Sequence, residues 1–198
     1  MSDGRAAERS RTTKETSITL SIDLDGTGTT VISTGIPFYD HMLDQLGRHG
    51  GFDLSIAAVG DLHIDTHHTV EDVAITLGEA FREALGDKVG VRRFASGQYP
   101  LDEALVEVAL DLSGRPFVVW EVEMPEALPL GNPAFDPQLA EHAVASFATA
   151  AGITLHVTLK RGRNAHHIIE ATFKGLARCL RDAVRVEDAA LPSTKGVL

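Results

Sequence analysis

The chain carries the pentad His-His-x-x-Glu twice, as His67-His68-Thr69-Val70-Glu71 and as His166-His167-Ile168-Ile169-Glu170. A further histidine stands upstream of each copy at a similar distance, His41 before the first and His142 before the second. Imidazole nitrogen and carboxylate oxygen without thiolate form a donor set for manganese, iron or zinc. On a helix, positions i and i+4 share a face, so His67 with Glu71, and His166 with Glu170, can each grip one ion. The second histidine of each pair points about 100° away by the helical period, which suits it to a different ion. Eight ligands divided between two ions give three histidines and one carboxylate apiece. Open positions remain on a six-coordinate metal, as catalysis requires. A lone pentad is a weak sign; its repetition with an upstream partner reads as a duplicated metal site. His63 and His156 fall outside the repeated frame and read as structural.

The elements that must position these ligands repeat as well. Ile18 to Asp23 alternates apolar and polar residues as a strand, Asp25 to Gly28 reads as a hairpin turn, and Thr29 to Ser33 as the returning strand. Ala104 to Asp111, Ser113 to Pro116 and Phe117 to Val122 repeat the pattern. Helices are predicted over Phe38 to His49 and Asp136 to Ala150, with stops at Gly51 and Gly152. Strands follow over Phe52 to Val59 and Ile153 to Leu159, then the helices opened by the pentads, His67 to Leu85 and Ala165 to Val184. Each half therefore reads β-β-α-β-α, an α+β unit whose small sheet has one face covered by two helices. Residues 1–11 read as a disordered tail, 12–95 as the first half-domain, 96–190 as the second and 191–198 as a C-terminal tail. The Pro- and Gly-rich stretch 123–137 reads as an inserted loop.

Composition narrows the partners. A chain of 198 residues with 43% hydrophobic residues can bury a real core. The net charge of −10 argues against a general nucleic-acid or anionic-membrane surface. An anionic ligand must then be held by a local basic group; the candidates are Arg93, Arg115, Lys174 and the run Ser193-Thr194-Lys195. No run reaches transmembrane length and no signal-like segment opens the chain. With the single Cys179, this fits a cytoplasmic protein. Cys179 itself lies in an apolar-periodic stretch and reads as a buried helix residue. Asp61, Asp65 and Asp72 surround the first pentad, where they could orient histidine nitrogens; Asp65 and Asp72 read equally well as helix-start acids.

Several long stretches together resemble imidazoleglycerol-phosphate dehydratases. They are Arg11 to Thr16, Phe38 to Leu46, Gly60 to Asp65, His67 to Asp72, Pro100 to Ala104, Asp111 to Pro116, Asn164 to Glu170, Phe173-Lys174 and Ser193 to Leu198. Pro37, Tyr39 and Thr66 depart from the family pattern without removing a ligand. The resemblance implies an α+β fold of two similar halves, with helices packed between two four-stranded sheets. It implies a 24-subunit homo-oligomer with two Mn2+ per active site bridging subunits. By position, one ion takes His67, Glu71, His142 and His167, and the other His41, His68, His166 and Glu170. Glu15, Glu71 and Glu170 carry over as residues of the catalytic centre. Glu15, Gln45, His49, Arg93, Arg115, Lys174, Ser193 and Lys195 carry over as substrate contacts.

The implied reaction is loss of water from imidazole glycerol phosphate to give imidazole acetol phosphate, in histidine biosynthesis. The hydrogen to be removed is not beside a carbonyl, so the azole ring must serve as the electron source. Glu15 is the expected base. The same ligands would also suit a dinuclear metallohydrolase acting on a phosphate ester, in which an activated water is the nucleophile. They would suit, too, a structural protein whose ions only cement an assembly; the basic residues count against that reading.

Overall fold

The computed structural model describes residues 4–187 and 189–194. Its centre is set by two strands of alternating burial. In β2 (Thr16–Asp23), Thr16, Ile18, Leu20 and Ile22 are buried while Ser17 and Thr19 face out. In β6 (Ala104–Asp111), Ala104, Val106, Val108 and Leu110 are the buried set. That period of two gives each strand one face for a helix layer. Each is an inner strand of a four-stranded sheet. The first sheet has β1 (Ala6–Thr12), β2, β3 (Thr30–Ser33) and β4 (Asp53–Gly60) in the order β1-β2-β4-β3. The second has β5 (Phe94–Leu101), β6, β7 (Phe117–Glu121) and β8 (Thr154–Arg161) in the order β5-β6-β8-β7.

Four helices complete the two halves: α1 (Pro37–Gly50), α2 (His67–Leu85), α3 (Leu139–Ala151) and α4 (Ala165–Ala183). Helix α2 packs on β1 and β2, and α4 on β5 and β6. Across the halves, α2 packs on α3 and α1 on α4. The expected duplicated α+β fold, with helices between two four-stranded sheets, is therefore observed. Phe81 of α2 joins the halves by meeting both Phe52 and Phe147, with ring centroids 6.3 and 5.7 Å away. At Gly78 the approach of α2 to α3 is so close that a Cβ would lie 2.5 Å from the Phe147 carbonyl oxygen. Helices α1 and α3 stop at Gly51 and Gly152, both in the left-handed conformation expected of such caps.

Three expectations need correction. Residues 6–11 are not a disordered tail but most of β1, paired residue for residue with β2. The strand is largely polar and carries no apolar alternation to announce it. Its order comes from the sheet ladder, from buried Ala7, and from ion pairs of Arg9 with Glu83 and Arg11 with Asp72 on α2. Nor do β2 and β3, or β6 and β7, form hairpins. In each half a later strand lies between them, and β3 and β7 run parallel to β4 and β8. A parallel neighbour needs a crossover, which α1 and α3 provide. The residues read as a tight turn instead wrap the sheet end, where the Asp53 carboxylate accepts from the Thr27 and Thr29 N–H groups, both at 2.8 Å. Last, the division between residues 95 and 96 falls inside β5; the halves part in the connection between Leu85 and Phe94.

Each half is thus β-β-α-β-α with one further strand ahead of it. The inserted stretch 123–137 is irregular, with one bridge between Leu130 and Phe135. Buried Phe135 lies against Phe38 and Tyr39 of α1.

Candidate metal centre

Both pentads sit at helix starts because something local begins a helix there. Asn164 caps α4 by accepting from the His166 and His167 N–H groups, and the Asp65 carboxylate accepts from the His67 N–H at 2.8 Å. In α4, His166 and Glu170 then lie one turn apart, with Nε2 3.0 Å from Oε2. His41 comes from α1, in the other half, and places its Nε2 3.2 Å from the same oxygen. Lys174, one turn further along α4, holds the other carboxylate oxygen at 2.5 Å. Burial pushes the Glu170 carboxyl up, but the hydrogen bonds of Lys174, His41 and His166 and the charge of Lys174 outweigh it and hold it down at about 2.

The mirror arrangement joins α2 to α3. His67 and Glu71 lie on one face of α2 and His142 approaches from α3, its Nε2 3.2 Å from the Glu71 Oε1. The His67 and His142 rings are 4.4 Å apart. The His142 Nε2 is buried and makes no hydrogen bond among the described residues. A buried ring nitrogen close to a carboxylate without a hydrogen bond, beside a second imidazole, fits a cation shared among the three better than it fits a protein-only contact. In both triads the donor atoms lie within 4.8 Å of one another. Each triad takes its pentad from one half and its third histidine from the other, so neither half builds one alone.

The remaining pentad histidines turn away, as the helical period predicts. The His68 ring is at 84° to His67, and the His167 ring at 87° to His166. His68 Nδ1 meets the Asp61 carboxylate at 3.0 Å, and His167 Nδ1 meets Glu103 at 2.7 Å. Within one chain, then, three ligands of each expected set of four come together. His68 and His167 do not join them. Asp61 proves to be the histidine partner among the first pentad's acids, while Asp72 holds Arg11 and Thr16 instead.

The expected substrate contacts fall in separate places. Gln45 links two histidines of α1, its Nε2 3.5 Å from the His41 Nδ1 and its Oε1 3.1 Å from the His49 Nε2. Burial, then the charges of Lys174 and Arg178, push the His49 imidazole below its usual range, which marks a cationic surrounding beside the second triad. Glu15 lies in the β1–β2 turn, half exposed, 3.9 Å from the His68 Nδ1. Arg93, with a left-handed backbone at φ 74°, clasps Asp111 at 2.6 and 3.0 Å and donates to the Pro192 carbonyl, so it ties down the segment that carries Ser193. Arg115 sits exposed in the connection before β7. Lys195 lies outside the described residues. His63 and His156 are exposed and join neither triad.

Glu103 and Arg178 were missed from the sequence. Glu103 had a signal, since it directly precedes β6 as Glu15 directly precedes β2, but that frame shows only once β1 and β5 are recognised. Arg178 follows Lys174 by one helical turn and had no signal beyond this.

Paired His/Glu triads on a duplicated α+β fold define a protein with two candidate divalent-metal sites, each built jointly by its halves. Residues 34–180 match the family described as imidazoleglycerol-phosphate dehydratase. A relative of that name from Acidothermus cellulolyticus is 56% identical over 98% of this chain and 93% of its own length. Another from Streptomyces coelicolor is 55% identical over 98% of this chain and 99% of its own. The solved structure of the Pyrococcus furiosus dehydratase in complex with (S)-C348 has a TM-score of 0.83 at 39% identity, covering 96% of this chain and 100% of that one. The Staphylococcus aureus dehydratase has a TM-score of 0.80 at 34% identity, covering 90% and 97%. The chain belongs to the imidazoleglycerol-phosphate dehydratase family, a family of hydro-lyases. No described helix is long and apolar enough to cross a membrane.

Proposed function

We propose that this chain removes water from imidazole glycerol phosphate to give imidazole acetol phosphate in histidine biosynthesis, with two divalent cations; the nitrogen and oxygen donor set suits manganese, iron or zinc, and the family resemblance implies Mn2+. The observation that carries the metal reading is the pair of triads, above all the buried His142 Nε2, which lies 3.2 Å from the Glu71 carboxylate without a hydrogen bond among the described residues. One ion would be held by His67, Glu71 and His142 together with His167 of another copy. The other would be held by His41, His166 and Glu170 together with His68 of another copy. Because His68 and His167 turn away from their own triads, completing either set calls for a second chain. This supports a homo-oligomer, for which the family's 24-subunit shell is the expected form. A cytoplasmic setting fits the single, buried Cys179.

When bound, the cations supply Lewis acidity at the ring nitrogens and make the azole an electron source. The chain's own residues do the rest. Glu15 projects from a turn fixed by side-chain hydrogen bonds. The Thr13 hydroxyl accepts from the Glu15 and Thr16 N–H groups at 3.1 and 3.0 Å, and the Thr16 hydroxyl donates to buried Asp72 at 2.5 Å. The half-exposed Glu15 carboxylate, on a hydrogen-bonded turn beside His68, would take the proton from the carbon next to the one that loses its hydroxyl. The enol so formed relaxes to the ketone. Arg93, Arg115, Lys174, Ser193 and Lys195 would hold the phosphate, with Gln45 and His49 as neighbouring contacts. A fixed phosphate sets the distance from the ring to the reacting C–H.

The test is product analysis with imidazole glycerol phosphate and Mn2+. A ketone that retains its phosphate is expected. Release of inorganic phosphate, or of phosphate from a simple aryl ester, would instead support a metallohydrolase.

A further inference from the structure

The β1–β2 and β5–β6 turns hold the same place in the two halves, and each ends in a glutamate directly before the next strand, Glu15 before β2 and Glu103 before β6. Each glutamate faces the second histidine of a pentad, yet the two are used differently. Glu103 Oε2 is 2.7 Å from the His167 Nδ1, while its Oε1 accepts from the Arg163 and Asn164 N–H groups at 3.2 and 2.9 Å, just ahead of α4. Both oxygens are engaged. Glu15 stands 3.9 Å from the His68 Nδ1, because Asp61 has taken that nitrogen at 3.0 Å. Behind the Glu15 turn, buried Asp72 binds Arg11 and Thr16. Its counterpart after the second pentad is Ala171, which can bind neither. Duplicate positions have therefore diverged: the first half orients its histidine with an aspartate and leaves the glutamate free, while the second uses the glutamate itself.

We infer that Glu103 is a positioning residue, which keeps the hydrogen of His167 on Nδ1 and so presents Nε2 as the donor to a cation, and that Asp61 does the same for His68. An ionised carboxylate only accepts, so the nitrogen facing it must carry the hydrogen. Fixing the tautomer in this way is the usual office of a carboxylate behind a metal-bound imidazole. The inference rests on His68 and His167 being metal ligands. It also accounts for why one of two equivalent glutamates is free for proton transfer and the other is not.

The experiment is Mn2+ titration of the full assembly after metal stripping, for the unmodified protein, Glu103→Gln, Asp61→Asn and Glu15→Gln. In Glu103→Gln the amide oxygen can still accept from Arg163 and Asn164, but the NH2 then faces Nδ1 and drives the hydrogen to Nε2. Binding about 10- to 100-fold weaker is expected at one class of site for Glu103→Gln and at the other for Asp61→Asn. Glu15→Gln should bind as the unmodified protein does. Unmodified affinity in Glu103→Gln, or an equal loss in Glu15→Gln, would overturn the inference. Failure of the unmodified protein to take up Mn2+ would overturn the ligand assignment itself, and is told apart by that control. Should Glu103→Gln not fold, nitrogen-15 spectra of the metal-free unmodified protein, taken where the His167 ring is neutral, decide: hydrogen on Nδ1 with a bare Nε2 is expected, and a neutral ring with its hydrogen on Nε2 refutes the role.

Discussion

Substituting Asp72 by Asn removes one charge at the point where β1, the Glu15 turn and the first pentad helix meet. The Asp72 side chain is only 8% exposed; it accepts from the Arg11 Nε at 2.9 Å and from the Thr16 hydroxyl at 2.5 Å. The bond from buried Thr16 is charge-assisted and worth about 1.5–3 kcal/mol. The Arg11 pair is discounted to about 0.2–1 kcal/mol, since that side chain is 38% exposed. The amide of Asn can keep both contacts, its oxygen accepting from Arg11 and its NH2 donating to the Thr16 hydroxyl, but as neutral bonds, so a loss of about 1–2 kcal/mol follows. At this chain length that lowers the unfolding midpoint by about 2–8 °C, read at fixed protein and Mn2+ concentration because metal and assembly both shift it. Loosening the turn should also move Glu15 relative to His68, with kcat falling about 10- to 100-fold while Mn2+ content holds. An unchanged midpoint and kcat would refute the claim that Asp72 fixes the turn. Loss of kcat in step with loss of Mn2+ would show that the substitution disturbs the metal site instead.

Other consequences are equally direct. Glu15→Gln should abolish turnover by about two orders of magnitude or more, with Mn2+ content and assembly unchanged; near-normal turnover by product assay would exclude it as the base. Gly78→Val drives a Cβ toward the Phe147 carbonyl and the Ala150 side chain of α3. It should cost about 1–3 kcal/mol in denaturant unfolding and weaken Mn2+ binding at the triad shared by α2 and α3. The Glu170 carboxyl is held at about 2 against an ordinary 4.5. Its stabilisation of the metal-free chain is therefore full above pH 4.5 and lost as pH falls through 2. That amounts to about 3 kcal/mol at most, and an acid titration of Glu170→Gln should lack this component. Chelation should both stop turnover and shrink the particle seen by light scattering, if ions join copies; Mn2+ should restore both.

Much of this architecture was legible because its signals are local. Helix α2 begins at His67 and ends at Leu85 as its apolar spacing predicts, and the other helices fall within a few residues of expectation. Helical geometry alone separated His67 and Glu71 from His68, and His166 and Glu170 from His167, and the structure keeps that division. What was not legible depends on distant partners. Strand β1 is ordered by an edge ladder and by two ion pairs to α2, none visible in its polar sequence. The connections after β2 and β6 have hairpin chemistry in Asp25-Gly26 and Ser113-Gly114, yet β4 and β8 insert and set the topology. Glu103 was hidden for the same reason, since its equivalence to Glu15 requires the leading strand of each half. The expected substrate contacts are not gathered in one place among the described residues: Glu15 lies beside His68, Arg93 beside Asp111 and Lys174 beside Glu170.

The most direct measurement is a crystallographic map of the Mn2+-loaded assembly with anomalous signal at the manganese edge. Two peaks per active site are expected, one among His67, Glu71 and His142 and one among His41, His166 and Glu170, each closed by His167 or His68 of a different chain. A single peak, or two peaks whose ligands all come from one chain, would contradict the account.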